Sequence, residues 1–200
     1  KGHQNHFDVV DPVGIVAGRP RKIVVIRQTK TRRRRPIRAT EKRPRDLTAW
    51  ETYVDNVLSG DIITSRWVRL ACERHVQDLE HGPDRGLYFD HTEAERNIQF
   101  FERFLTHTKG RWAGQPFHLL PWQQFAVAML FGWRRETGAR RFNTFFCQVA
   151  RKNGKTQLLA GLALAMLDFD GEPAAEIYFA ATKRDQARLG FDEAARMVKS

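Results

Sequence analysis

The sequence Phe145-Phe146-Cys147-Gln148-Val149 is a short strand-forming run that leads into Ala150-Arg151-Lys152-Asn153-Gly154-Lys155-Thr156. A stretch rich in Leu and Ala follows, to Leu167. Strand, turn ending in Gly-Lys-Thr, then helix is the order a phosphate-binding loop requires. The strand anchors the loop, and Gly154 lets backbone N–H groups close around an anion. Lys155 reaches the β/γ-phosphates, Thr156 offers its hydroxyl to Mg²⁺, and the new helix aims its positive end at the phosphates. Val149 stands where the pattern G-x-x-x-x-G-K-[ST] asks for its first Gly. A bare Gly-Lys-Thr also occurs as a plain turn, and it is the flanking strand and helix that favour the nucleotide reading.

A second polar candidate lies about thirty residues upstream. In Phe117-His118-Leu119-Leu120-Pro121-Trp122-Gln123, Pro121 suits the first turn of a helix continuing through Phe125, Val127, Met129, Leu130 and Phe131. Gln123 sits in that first turn among aromatic neighbours. Its amide can donate and accept at once, as the N6/N7 edge of adenine requires. By itself it reads as an ordinary exposed helix residue; ahead of a phosphate loop it becomes a candidate for reading the base.

Several elements must position these groups. Residues 46 to 115 show helical periodicity. Asp46 can cap a helix carrying Leu47, Trp50, Tyr53, Val54, Val57 and Leu58, and Gly60 ends it. Ser65 can cap a second, with Trp67, Leu70, Ala71, Val76 and Leu79 on its face. Thr92-Glu93-Ala94-Glu95 reads as a capping box opening a third, whose face is Ala94, Ile98, Phe101, Phe104 and Leu105. Core packing accounts for Trp50, Trp67, Phe100 and Phe101 better than a ligand does. His75, His81, His91 and His107 share no metal-ligand spacing and read as surface residues. Residues 132 to 141 read as a basic connector. Beyond the loop helix, Glu176-Ile177-Tyr178-Phe179-Ala180-Ala181 reads as a second buried strand. Thr182 can cap a last helix with Ala187, Leu189, Phe191, Ala194, Ala195 and Val198 on its apolar side. Strand, helix, strand, helix predicts a parallel α/β sheet with right-handed crossover.

Composition bounds the rest. Two cysteines, Cys72 and Cys147, make neither a disulfide framework nor a metal site. The longest strongly apolar stretch is too short to span a bilayer, and no secretory h-region is present, so the chain reads as soluble and intracellular. The net charge is +11 over 200 residues, and residues 1 to 45 hold 14 Lys/Arg against 3 Asp/Glu. The remaining residues hold 20 of each, so the basic excess belongs entirely to the first quarter. That segment, with its run Arg32-Arg33-Arg34-Arg35, reads as a basic tail: a phosphate-contacting arm or a solvated leader.

Pro121-Trp122-Gln123, the loop of residues 150–156, and Ala180-Ala181-Thr182-Lys183-Arg184-Asp185-Gln186-Ala187 together carry a family resemblance. Leu70-Ala71-Cys72-Glu73-Arg74-His75 and Gly86-Leu87-Tyr88-Phe89 add to it. Residues 53 to 198 resemble the N-terminal ATPase region of the large terminase subunit of tailed bacteriophages, nearest to the group with HK97-like capsids. That region powers DNA packaging, and a non-Gly first loop position such as Val149 is a habit of the family. The resemblance implies a P-loop NTPase fold of RecA/ASCE type: a parallel sheet, incomplete at the C-terminus, preceded by a helical subdomain and the basic tail. It implies that Gln123 contacts adenine, that Lys155 and Thr156 serve phosphate and Mg²⁺, and that Arg151 acts in cis on the γ-phosphate, which a guanidinium suits. Lys152 reads as general phosphate attraction, Asn153 and Gly154 as loop contacts to nucleotide. Residues 182 to 186 either touch DNA or cap a helix. The implied cofactors are ATP and Mg²⁺. The implied partners are double-stranded DNA, a portal protein, a small terminase subunit and further copies of the chain in a ring, in the bacterial cytoplasm.

The family's second acidic motif, an apolar strand ending in Asp-Glu, does not occur after Thr156, and its nuclease carboxylates are missing too. The sequence therefore reads as the front part of a longer protein: residues 1–45 tail, 46–115 helical subdomain, 116–200 the first part of the ATPase domain. Two other readings stay open. One is a helicase-like DNA-dependent ATPase; the other is a non-enzymatic basic nucleic-acid-binding protein whose Gly-Lys-Thr turn is incidental.

Overall fold

A computed structural model describes residues 47–169 and 174–199. The basic tail and the reading of Asp46 as a cap lie outside the described residues. Within them the order is α1 (Ala49–Ser59), α2 (Arg66–His81), β1 (Leu87–Phe89), α3 (His91–Phe104), α4 (Pro121–Gly132), β2 (Trp133–Arg135), α5 (Lys155–Phe169) and α6 (Arg184–Lys199), with single 3-10 turns at Pro83–Arg85 and Gly110–Trp112.

Local chemistry explains the helix ends. Thr48 caps α1 and forms a capping box with Glu51, and Gly60 closes the helix in the left-handed region at φ 95°. Ser65 caps α2 through the Val68 N–H, as its sequence predicts. For α3 the cap is Asp90, which accepts from Glu93 N–H; the expected box beginning at Thr92 is displaced by two residues. Pro121 occupies the first turn of α4.

α4 packs between α1 and α3, and α5 lies on α6 while touching α3. One continuous apolar core joins them, from Trp50 and Val57 through Phe101, Phe117 and Phe131 to Leu158, Leu162 and Met197. Apolar surface removed from water at this interface is the main favourable term holding α4 and α5 in place.

Three helix faces differ from expectation. On α2, Trp67 is 76% exposed, and Leu70, Val76 and Leu79 also face outward. The buried stripe is Cys72, His75 and Asp78, so His75 is interior and not a surface residue. On α3, Phe104 points outward while Asn97 and Phe100 are buried. On α6, Leu189, Phe191 and Val198 are exposed, and the inner face is Glu193, Ala194 and Met197. A polar interior is tolerated where the buried charges are paired. Asp78 accepts from both Arg85 and Arg141, and Trp133 Nε1–H donates to His75 Nδ1 at 3.1 Å.

The sheet also differs. Among the described residues the paired strands are β1 and β2, antiparallel, with Leu87 opposite Arg135 and Phe89 opposite Trp133. The stretch expected to be a loose basic connector therefore begins as a strand, and Arg140 and Arg141 fold inward. Residues 145–149 and 176–181, read above as buried parallel strands, are not paired in a ladder among the described residues. Their side chains alternate half-buried and exposed, with Phe146 at 71% and Tyr178 at 69% exposure. The alternation is the strand period; Phe145 and Ile177 pack against the core, and among the described residues no neighbouring strand pairs with these segments.

Candidate functional site

The loop after residue 149 turns through two residues in the left-handed region, Lys152 at φ 66° and Gly154 at φ 66°. Gly adopts that conformation without a steric penalty, and the chain then enters α5 at Lys155. The first N–H groups of any helix lack intrahelical partners, so the start of α5 offers donors and a partial positive charge to an anion. Arg151, Lys152 and Asn153 are exposed, and Lys155 and Thr156 are half-buried. Lys155 Nζ donates to Val149 O at 3.3 Å, across the loop it closes. Asn153 Nδ2 donates to Ala150 O at 3.4 Å, and this bond helps shape the turn.

Gln123 is brought to this loop from 31 positions away. It is only 3% exposed, which corrects the reading of an ordinary exposed helix residue. Its Oε1 accepts the Leu120 N–H at 2.9 Å and so caps the start of α4. Its other end faces the loop: a Cβ built on Gly154 would lie 3.8 Å from Gln123 Nε2. The amide that caps α4 thus lies beside the loop glycine. Cys147 is half-buried in the run that leads into the loop; burial pushes its thiol up, and the Lys155 charge opposes that.

On the opposite flank, a shallow groove runs between the start of α5 and α6. Thr156, Leu159, Phe179, Ala180, Ala181, Gln186, Ala187 and Gly190 line it. Phe179 packs so closely on Gly190 that a Cβ there would fall 2.4 Å from the ring. Ala180, Ala181, Gln186 and Ala187, from the stretch 180–187 singled out in the sequence, therefore share this groove with Thr156. Thr182 does not sit at the cap position. The backbone N–H groups of Gln186 and Ala187 bond to Lys183 O, and the Thr182 hydroxyl lies 3.5 Å from Gln186 Oε1.

Sequence reading missed a buried carboxylate. Glu193 is 2% exposed and accepts from Thr108 Oγ1, from Gln157 Nε2 at 3.2 Å and from Arg196 Nη2 at 2.9 Å. Lys109 Nζ pairs with it at 3.1 Å. Burial pushes the carboxyl up, yet the bonds from Thr108, Arg196, Lys109 and Gln157 outweigh it and hold its pKa down to about 2. Its partners lie up to 85 residues away, so no local pattern could have revealed the cluster.

The residues present fit a magnesium-bound nucleotide. The loop supplies cations and backbone donors, and Thr156 supplies a hydroxyl; Mg²⁺ bound with phosphates needs few protein ligands. Among the described residues no group of three or more His, Cys, Asp or Glu is placed to hold a metal by itself. No described helix is long and apolar enough to cross a membrane.

Comparison with known proteins agrees with the resemblance seen in the sequence. Residues 121–200 match the family model of the terminase large subunit, ATPase domain. A protein of Enterobacteria phage HK97 described as "Terminase, large subunit" is 34% identical over 108 residues, which cover 54% of this chain. The match spans 20% of that relative's length. No solved structure matches the chain.

Proposed function

We propose that this chain is the nucleotide-gripping part of a phage DNA-packaging ATPase, binding ATP with Mg²⁺ at residues 150–156. The observation that carries the reading is the meeting of Gln123 with Gly154 at the N-terminus of α5, inside the stretch that matches a terminase ATPase domain. Lys155 leaves the Val149 carbonyl for the β/γ-phosphates, and Gly154 and Asn153 present backbone N–H groups to them. Arg151, exposed on the loop, reaches the γ-phosphate and neutralises charge that develops on it. Thr156 gives its hydroxyl to the metal, which supplies charge neutralisation at the phosphates when bound. Gln123 offers its Nε2 donor to the adenine edge, its Oε1 being held by the Leu120 N–H. Residues 46–115 serve as a helical subdomain behind this site, residues 116–200 as part of a parallel-sheet ATPase domain, and residues 1–45 as a basic arm. In the whole protein, hydrolysis drives double-stranded DNA into a procapsid in the host cytoplasm, with a portal, a small terminase subunit and further copies of the chain as partners.

Lys155→Ala tests the reading. The side chain reaches across the loop and not into the core, so the thermal midpoint should hold. Charge-assisted bonds to phosphate are worth about 1.5–3 kcal/mol each, so Mg·ATP affinity should fall on the order of 100-fold. Unchanged affinity in a titration would remove the nucleotide site and leave the Gly-Lys-Thr turn incidental.

A further inference from the structure

Glu193 joins three pieces of chain that are remote in sequence. Thr108 and Lys109 belong to the loop after α3, Gln157 to the first turn of α5, and Glu193 and Arg196 to α6. Gln157 immediately follows Thr156, and its Oε1 lies 3.3 Å from His107 Nδ1, so the same amide is held from both ends. Apolar contacts already hold α5 against α6 through the common core. A buried carboxylate adds little net stability to such an interface, because desolvation offsets its attraction to cations. What it adds is geometry: four donors converge on two oxygens, and Gln157 reaches them with its side of α5 turned toward α6.

We propose that Glu193 is a positioning residue for the phosphate loop, fixing through Gln157 the orientation in which Thr156 meets a nucleotide-bound Mg²⁺. The inference rests on the nucleotide reading above. The partners that hold the Glu193 carboxylate are Thr108, Lys109, Gln157 and Arg196, none of which belongs to residues 150–156 or to the groove lining, so it acts on the first turn of α5 through Gln157. Because α6 begins directly after residues 180–183, the carboxylate also couples the placement of that segment to the placement of Thr156. Glu193→Gln keeps the shape but removes the charge that holds Lys109 and Arg196.

The experiment measures ATP affinity with and without Mg²⁺ for the chain and its variants. Loss of an outer group that orients a metal ligand typically weakens metal-dependent binding about 10–100-fold, and Glu193→Gln should do so for Mg·ATP while metal-free ATP binding stays near that of the parent. Combining it with Gln157→Ala should cost nothing further, since both act along one path. Asp78→Asn disrupts a buried carboxylate cluster on α2, away from the loop, and should lower the thermal midpoint without touching the Mg²⁺ dependence. If Glu193→Gln is folded and binds both forms as the parent does, or loses both equally, the positioning role is overturned. Should that variant not fold, Gln157→Ala alone carries the same criterion. Lys155→Ala, run beside them, separates the failures: undiminished Mg·ATP binding there removes the site itself.

Discussion

Gln123 holds two positions at once, and its two amide atoms divide the work. Oε1 is committed to the Leu120 N–H at the start of α4, and Nε2 stands over Gly154. Gln123→Ala would remove both and confuse a folding loss with a binding loss. Gln123→Glu separates them, because a carboxylate oxygen can still accept from Leu120 while the donor facing the loop is lost. We expect its thermal midpoint to stay near the parent's, with Mg·ATP affinity falling about tenfold and discrimination against GTP eroded, as one lost bond plus a misplaced charge is worth roughly 1–3 kcal/mol. Affinities for ATP and GTP that are both unchanged from the parent, or weakened equally, would confine Gln123 to capping. Much of this site was legible residue by residue. Gly154, Lys155 and Thr156 could be placed because a turn and a helix start are local events. The burial of Gln123 could not, since it depends on α4 lying against a loop 31 positions later in the chain. Glu193 was hidden for the same reason, and its helix offered Leu189 and Phe191 as a more apolar face.

At the scale of elements, α2 shows why periodicity picked the wrong face. Trp67, Leu70, Val76 and Leu79 make a plausible apolar pattern, yet the helix buries Cys72, His75 and Asp78. The choice is decided by partners outside the helix: Arg85 and Arg141 for Asp78, Trp133 and the rings of Trp50, Phe89 and Phe125 for His75. The same limit applies to residues 145–149 and 176–181. Their alternation was readable, but a ladder needs a neighbour, and among the described residues no strand pairs with them. Burial of His75 has a measurable consequence. Burial foremost, then the nearby His91, lowers its pKa to about 4 against the opposing pull of Glu51 and Asp78, so the fold favours the neutral ring that accepts from Trp133. A cationic group with a depressed folded pKa contributes its stability in full above its unfolded value of about 6.5, and loses it as pH falls toward 4. Denaturant midpoints should therefore drop across that window, by up to ~1.4 kcal/mol per pH unit from this residue. His75→Gln, which keeps an acceptor for Trp133 but does not titrate, should flatten the profile between those limits. An equally steep profile in the variant would place the titrating group elsewhere; Glu193, with its pKa near 2, loses its contribution only below about 4.5.

For the whole molecule, charge is divided along the chain and not spread over it. Residues 1–45 carry 14 Lys/Arg against 3 Asp/Glu, and the remainder carries 20 of each. The folded core brings its own cations together with acids: Arg85 and Arg141 on Asp78, Arg134 and Arg96 on Glu93, Lys109 and Arg196 on Glu193. Paired cations have less to offer a polyanion, because neutralising phosphates would mean giving up partners already held. Under the proposed DNA-handling role, sequence-independent affinity should then come chiefly from the first quarter. Each phosphate neutralised on duplex DNA adds about −0.9 to the slope of log K against log salt. Binding of the chain to a duplex of arbitrary sequence, measured from low to moderate salt, should show a slope of several units. Deleting residues 1–45 leaves the described helices and the loop in place and should bring that slope toward zero, with affinity at low salt falling by orders of magnitude. Mg·ATP affinity should be the same in the two proteins, since every residue of the loop and Gln123 lies beyond the deletion. If the shortened chain binds duplex with an undiminished slope, the phosphate contacts belong to the folded part. The exposed Arg151 and Lys152 on the loop and Lys183 and Arg184 at the start of α6 would then be the first cations to replace.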